Sequence, residues 1–245
     1  MRPGINANGA RLSDCQDCTQ MTDDWIDDII KGFKPSENGV SLDFTSLDQS
    51  LLDALNLSGD ILSLFDNDER YAVKIKVGQT QLDRNGNPVN AQTGRASSGT
   101  MSVITFNPDY LNRATDLAIA RTAIHELVHA YLQYIIQHVP NSELGTTLDS
   151  LIFQHNFWLI PGEPQHVLMA EQFVSAIALS LSNSDGFQHA AIEYQRLTWS
   201  GGMRESATYE QIPQGERNAI IARDQIESGD PRNTLPVSPL GTKSC

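Results

Sequence analysis

The chain has 245 residues, 40% of them hydrophobic and 19% charged, which is enough apolar material for a sizeable core and excludes wholesale disorder. Seventeen Lys and Arg against 30 Asp and Glu leave a formal charge of −13. That balance argues against a sequence-independent grip on nucleic acid, which needs phosphate-neutralising cations, and against an anionic membrane surface as partner. The acid is uneven: residues 1–68 hold 4 basic and 13 acidic side chains, residues 69–245 hold 13 and 17. The first part therefore carries about two-thirds of the excess.

Residues 1–20 are polar and linker-like, with no apolar stretch of the kind that opens a signal peptide. The three cysteines, Cys15, Cys18 and Cys245, lie near the two ends, so a disulfide framework is excluded. Cys15 and Cys18 form a lone CxxC with no second pair to complete a zinc site. Residues 22–34 carry Trp25, Ile26, Ile29, Ile30 and Phe33 at helical spacing. A second helical pattern over 45–66 uses Leu47, Leu51, Leu52 and Leu55, with Gly59 expected to end it.

Residues 70–78 alternate Tyr71, Val73, Ile75 and Val77 with basic or small residues, the pattern of a half-buried strand. Asn85-Gly86-Asn87-Pro88 reads as a turn and is followed by a Gly/Ser-rich stretch. Residues 101–106 form a second strand, ended by Asn107-Pro108. A long helix follows at about 113–137, with Asp116 suited to its first turn. Residues 141–164 read as a loop or short helix, then come helices at about 165–182, 188–198 and 215–228. The tail, 229–245, is rich in Pro, Gly and Ser and is expected to be loose.

The longest helix carries His125-Glu126-Leu127-Val128-His129, an HExxH. Residues four apart share a helix face, so both imidazoles point to one spot and can bind a divalent ion, with Zn²⁺ the expected one. Glu126 lies about 100° around the helix, beside the metal without binding it. The expected chemistry is hydrolysis, the metal lowering the pKa of a bound water and Glu126 acting as general base and then general acid. A catalytic zinc site needs a third protein ligand and keeps one open position. The metzincin continuation is excluded, because Leu132 and Ile135 stand where it requires Gly and His. The candidates are, in order, His166 at the start of the next apolar helix, Glu171 in the same helix, as in the gluzincin pattern, and His155 in the preceding loop. His138 and His189 are isolated. Tyr194 and Tyr209 are candidate hydrogen-bond donors to the oxyanion. Trp199-Ser200-Gly201-Gly202 is either a wall of the cleft or a plain helix-breaking corner.

The stretch Thr122–Tyr131 resembles the active-site helix of SprT-like zinc metallopeptidases. His166-Val167-Leu168-Met169-Ala170 and the Trp-Gly-Gly-containing block from Tyr194 to Tyr209 are similar to motifs of Bacteroidetes metallopeptidases. The resemblance covers about residues 100–225. It implies zinc ligation by His125, His129 and His166, with Glu126 catalytic. SprT relatives that work on DNA-associated proteins use basic DNA-binding regions, and this acidic chain has none, so that substrate class does not carry over. Leu12–Cys18 followed by Asp24-Trp25 resembles the junction ahead of C-terminal toxin domains in Rhs-type or polymorphic toxins. That implies an effector delivered as part of a larger carrier protein and countered by an immunity protein.

The expected fold is α+β and zincin-like: a small antiparallel sheet from 70–78 and 101–106 packs on the HExxH helix, and further helices complete the site. In zincins the cleft runs beside an edge strand, and 101–106 or its neighbour is expected in that role. The expected organisation is a linker at 1–20, an acidic helical appendage at 21–68, a metallopeptidase domain at 69–228 acting on a protein or peptide, and a flexible tail at 229–245. The rival expectation is a non-catalytic module with a closed, four-ligand zinc site.

Overall fold

A computed structural model describes residues 32–33, 56–67, 72–83, 85–95, 101–138, 163–230 and 238–243. The expected linker at 1–20, nearly all of the helix at 22–34, residues 45–55, the loop at 141–162 and all three cysteines lie outside the described residues.

The described part is α+β, with a three-stranded sheet and a larger helical portion. Helix α1, Leu57–Asn67, leads into strands β1 (Ala72–Val77), β2 (Ala91–Arg95) and β3 (Met101–Phe106). Helix α2, Pro108–Arg113, and the long helix α3, Asp116–His138, follow. After the undescribed segment come α4 (Glu163–Leu168), a π-helical turn (Met169–Phe173) and α5 (Val174–Ser184). Helix α6 (Ala191–Thr198), a 3₁₀ turn (Gly201–Glu205), α7 (Ala207–Glu210) and α8 (Gln214–Glu227) complete the order.

Gly59 does not end the first of these helices. It lies inside α1, where Leu57, Ile61 and Phe65 turn one face into the core. Burying three such side chains at roughly 1.5–3 kcal/mol each outweighs a glycine's cost of about 1 kcal/mol. Ser58 and Ser180 join hydroxyls at 2.8 Å, fastening α1 to α5.

The sheet differs from the antiparallel pair expected. Its order is β1-β3-β2; β3 runs parallel to β1 and antiparallel to β2. The connection from β1 therefore carries β2 to the far side, and β3 returns between them. That makes 101–106 the central strand of the described sheet and its neighbour β2 an edge. Ala-Gln-Thr-Gly-Arg has one β-branched residue, so β2 carries almost no strand signal of its own; its pairing with β3 creates it. The turn before it is as expected, held by Asp83 Oδ1, which accepts from the main-chain N–H of Asn85 and Asn87 at 2.8 Å.

Asn107 caps α2 by accepting from the N–H groups of Asp109 and Tyr110. Helix α3 is buried nearly all round from Leu117 to Leu132, with the sheet, α1, α5 and α6 packed on it. A helix so enclosed needs apolar residues on every face, which explains why its polar positions stand out. The tail is not loose throughout. Among its described residues, Leu240 and Gly241 donate their N–H groups to the buried carboxylate of Glu227, at 2.6 and 3.2 Å. Thr242 N–H and Oγ1 donate to the two carboxylate oxygens of Asp116 at 2.8 and 2.6 Å, and Asp116 N–H donates back to the Thr242 carbonyl. The segment thus supplies partners to the first turn of α3, whose N–H groups have no intrahelical acceptor.

Candidate metal centre

Five buried polar or charged side chains interrupt the apolar run of α3: Arg121, Thr122, His125, Glu126 and His129. Burying a charge is costly unless it has partners. Thr122 satisfies itself by donating to the Ala118 carbonyl at 2.9 Å. Arg121 pairs with Asp224 of α8 at 3.2 Å, and Asp224 also holds Arg204 of the 3₁₀ turn at 3.1 Å. The remaining three form the centre.

His125 and His129 lie one turn apart, and α4 brings His166 to them. His129 Nε2 stands 3.1 Å from both His125 Nε2 and His166 Nε2. All three ligand atoms lie within 4.8 Å of one another, and together they could hold a metal ion. The geometry fits: ligands about 2.0–2.1 Å from a tetrahedral centre stand about 3.3 Å apart, so a small ring rotation closes the set. Nitrogen lone pairs facing one another at 3.1 Å repel unless a proton or cation lies between them.

The adjacent residue, Gln165, fixes the chemistry of His129. Its Oε1 accepts a hydrogen bond from His129 Nδ1, which places the ring proton on Nδ1 and leaves the Nε2 lone pair for the cluster. Consecutive residues of α4 therefore flank the ring of His129, Gln165 at Nδ1 and His166 at Nε2. His125 Nδ1 is buried without such a partner among the described residues.

Burial holds the pKa of His125 well below the usual value, reinforced by the charges of His129 and His166 and then Arg121. Burial, with the charge of His129 second, lowers that of His166 to about 3. Both rings are thus neutral and ligand-competent near neutral pH. Glu126 is 6% exposed, and burial raises its carboxyl pKa against the opposing pull of His129 and of hydrogen bonds from Thr93. The Thr93 hydroxyl lies 2.7 Å from Glu126 Oε2.

The Trp199–Gly202 corner is a wall of this site. A Cβ at Gly201 would stand 3.2 Å from His125 Cε1, and one at Gly202 only 2.0 Å from His166 Nδ1. Gly201 also has φ +67°, a left-handed conformation that glycine adopts readily. The 3₁₀ turn can lie against two imidazoles because it presents no side chain there.

Of the candidate third ligands, His166 is in the cluster. Glu171 is exposed in the π-helical turn and is not part of it, because the turn after His166 directs that position outward. His155 lies outside the described residues. Neither tyrosine offers a free hydroxyl. Tyr194 donates to Asp185 Oδ2 at 2.5 Å and accepts from the N–H of His189 at 3.0 Å. Tyr209 packs on Trp199 and directs its hydroxyl to the Arg217 carbonyl at 3.4 Å. Both hydroxyls are thus engaged by groups of neighbouring helices and turns. His189 pairs with Asp185 at 3.6 Å, away from the cluster. Gln165 and Thr93 are additions to the expected set. Gln165 is signalled only by standing next to His166, and Thr93 lies in the strand that has no sequence signature.

Comparison with protein families, with curated proteins and with solved structures finds no match to this chain. No described helix is long and apolar enough to cross a membrane.

Proposed function

We propose that the chain is a zinc-dependent endopeptidase in which Glu126 is the general base. One observation carries this reading: His125, His129 and His166 converge as a set of three, and Glu126, adjacent in sequence, is buried beside them and outside the set. A structural zinc site is closed by four protein ligands, whereas a catalytic one has three and keeps a position for water. Among the described residues the set stops at three.

Three imidazoles with no thiolate are a donor set that zinc accepts, as do copper, iron and nickel, and three protein ligands are the usual number for a catalytic zinc. When bound, the metal would acidify a water and polarise the scissile carbonyl. The protein's own groups prepare for this. His125 and His166 are held neutral by burial. His129 is held in one tautomer by Gln165. Glu126, whose carboxyl binds a proton more readily than an exposed one, takes the proton of the attacking water and passes it to the leaving amine. The edge position of β2 supports an extended polypeptide as substrate, since a strand edge can pair with a chain's main-chain groups. On this reading the fold is zincin-like, with the HExxH helix beneath a small sheet.

The test is metal analysis joined to cleavage assays on unfolded protein and peptide libraries. One zinc per chain with turnover that Glu126→Gln abolishes is the expected result. Stoichiometric zinc with no turnover on any substrate would favour the closed structural site.

A further inference from the structure

The carboxylate of Glu126 is held from a strand 33 residues earlier in the chain. Thr93 Oγ1 lies 2.7 Å from Glu126 Oε2 and 3.0 Å from the carbonyl oxygen of the same residue. The hydroxyl is therefore seated against that turn of α3 whichever of the two acceptors it serves.

The register of the sheet explains how Thr93 reaches that turn. Asn107 N–H donates to the Asn90 carbonyl at 2.9 Å, which marks these two as a hydrogen-bonded pair of the antiparallel ladder. Counting by twos, Gln92 and Gly94 direct their main-chain groups to β3, and Thr93 directs its own away from β3, to the outer edge. Its side chain lies on the face packed against α3. A slip of one residue in this pairing would turn the hydroxyl to the opposite face.

We propose that Thr93 is a positioning residue for Glu126, fixing the carboxylate at the outer edge of β2 beside the three-histidine set. The kinetic consequence rests on the peptidase reading above; the structural consequence does not. A glutamate side chain has several rotatable bonds, and a half-buried donor on one oxygen restricts that freedom.

Thr93→Val keeps the shape, the strand preference and the main-chain N–H while removing the hydroxyl. The expected result is unchanged zinc stoichiometry, KM within about twofold and kcat lower by about ten- to a hundredfold, the range for a lost hydrogen bond to a charged group. Thr93→Ser should recover most of the loss. In crystal structures of the zinc-loaded proteins, the Glu126 carboxylate of Thr93→Val should leave the place it holds in the parent. A parent-like kcat in Thr93→Val, a Thr93→Ser as impaired as Thr93→Val, or joint loss of zinc and melting temperature would each overturn the assignment. If the parent itself shows no turnover, the peptidase reading fails separately. The crystallographic comparison then decides for Thr93: a displaced carboxylate supports it and an unmoved one overturns it.

Discussion

Gly202 lies so close to the imidazole of His166 that a methyl group in place of its hydrogen would stand 2.0 Å from Nδ1. The histidine arrives on α4 and the glycine on the 3₁₀ turn, 36 positions later in the chain, so their contact sets where the third donor sits. Gly202→Ala should push His166 out of the set and lower zinc affinity by at least tenfold, as read by competition with a chromophoric chelator. The fold should survive, because the strain is released by moving one ring. Parent affinity in this variant would show that the turn does not position the ligand.

Glu126→Gln should keep zinc at one per chain and lose about a hundred- to ten-thousandfold in kcat, since the amide cannot take the proton of water. Metal content by mass spectrometry and cleavage rate on the same preparation check both halves.

His166→Ala should bring zinc below one per chain after dialysis, whereas Glu171→Gln should leave it unchanged, because Glu171 is exposed and outside the set. The reverse pattern would move the third ligand to the π-helical turn.

The metal-stripped protein should lose stability in mild acid. In the unfolded chain a histidine takes up its proton near pH 6.5, whereas folded His166 does so only at about 3 and folded His125 is shifted the same way. Between those values the unfolded state binds more protons, so stability is full above about pH 6.5 and falls as the pH drops. His166 contributes a loss of about 2 kcal/mol between pH 6.5 and 5, read from urea midpoints, and His125 adds a loss of the same sign. His166→Asn should flatten that slope. A slope unchanged by the substitution would mean that other groups cause the acid sensitivity.

Removing residues 238–243 should lower the melting temperature, because the amides and hydroxyl that hold Glu227 and Asp116 go with them. Glu227 has 0% exposure and, among the described residues, would keep Thr115 and Arg223 as partners. A buried carboxylate stripped of two donors costs about 1–3 kcal/mol for each, visible by calorimetry.

The HExxH helix, the strands at 72–77 and 101–106 and the pair His125 and His129 were legible from local signatures: a four-residue spacing for the two histidines, alternation for β1, and a short run closed by Asn107-Pro108 for β3. His166 is first among three candidates for the third ligand on its placement alone, and only the packing of α4 on α3 singles it out. The rest depends on contacts between distant segments. Strand β2 exists through its pairing, so Thr93 looks like a loop residue until β3 is placed beside it. Gly59 carries a stop signal that core burial overrides. The tyrosines have suitable chemistry, but their hydroxyls are occupied by Asp185 and by the Arg217 carbonyl, which no local pattern announces.

The clasp on Asp116 joins residues 126 positions apart. During synthesis, the start of the HExxH helix emerges long before residues 238–243. Until they arrive its first turn lacks those partners, and closing so long a loop is slow compared with forming the helix itself. The histidines of α3 are therefore made before the end of the helix that carries them is secured.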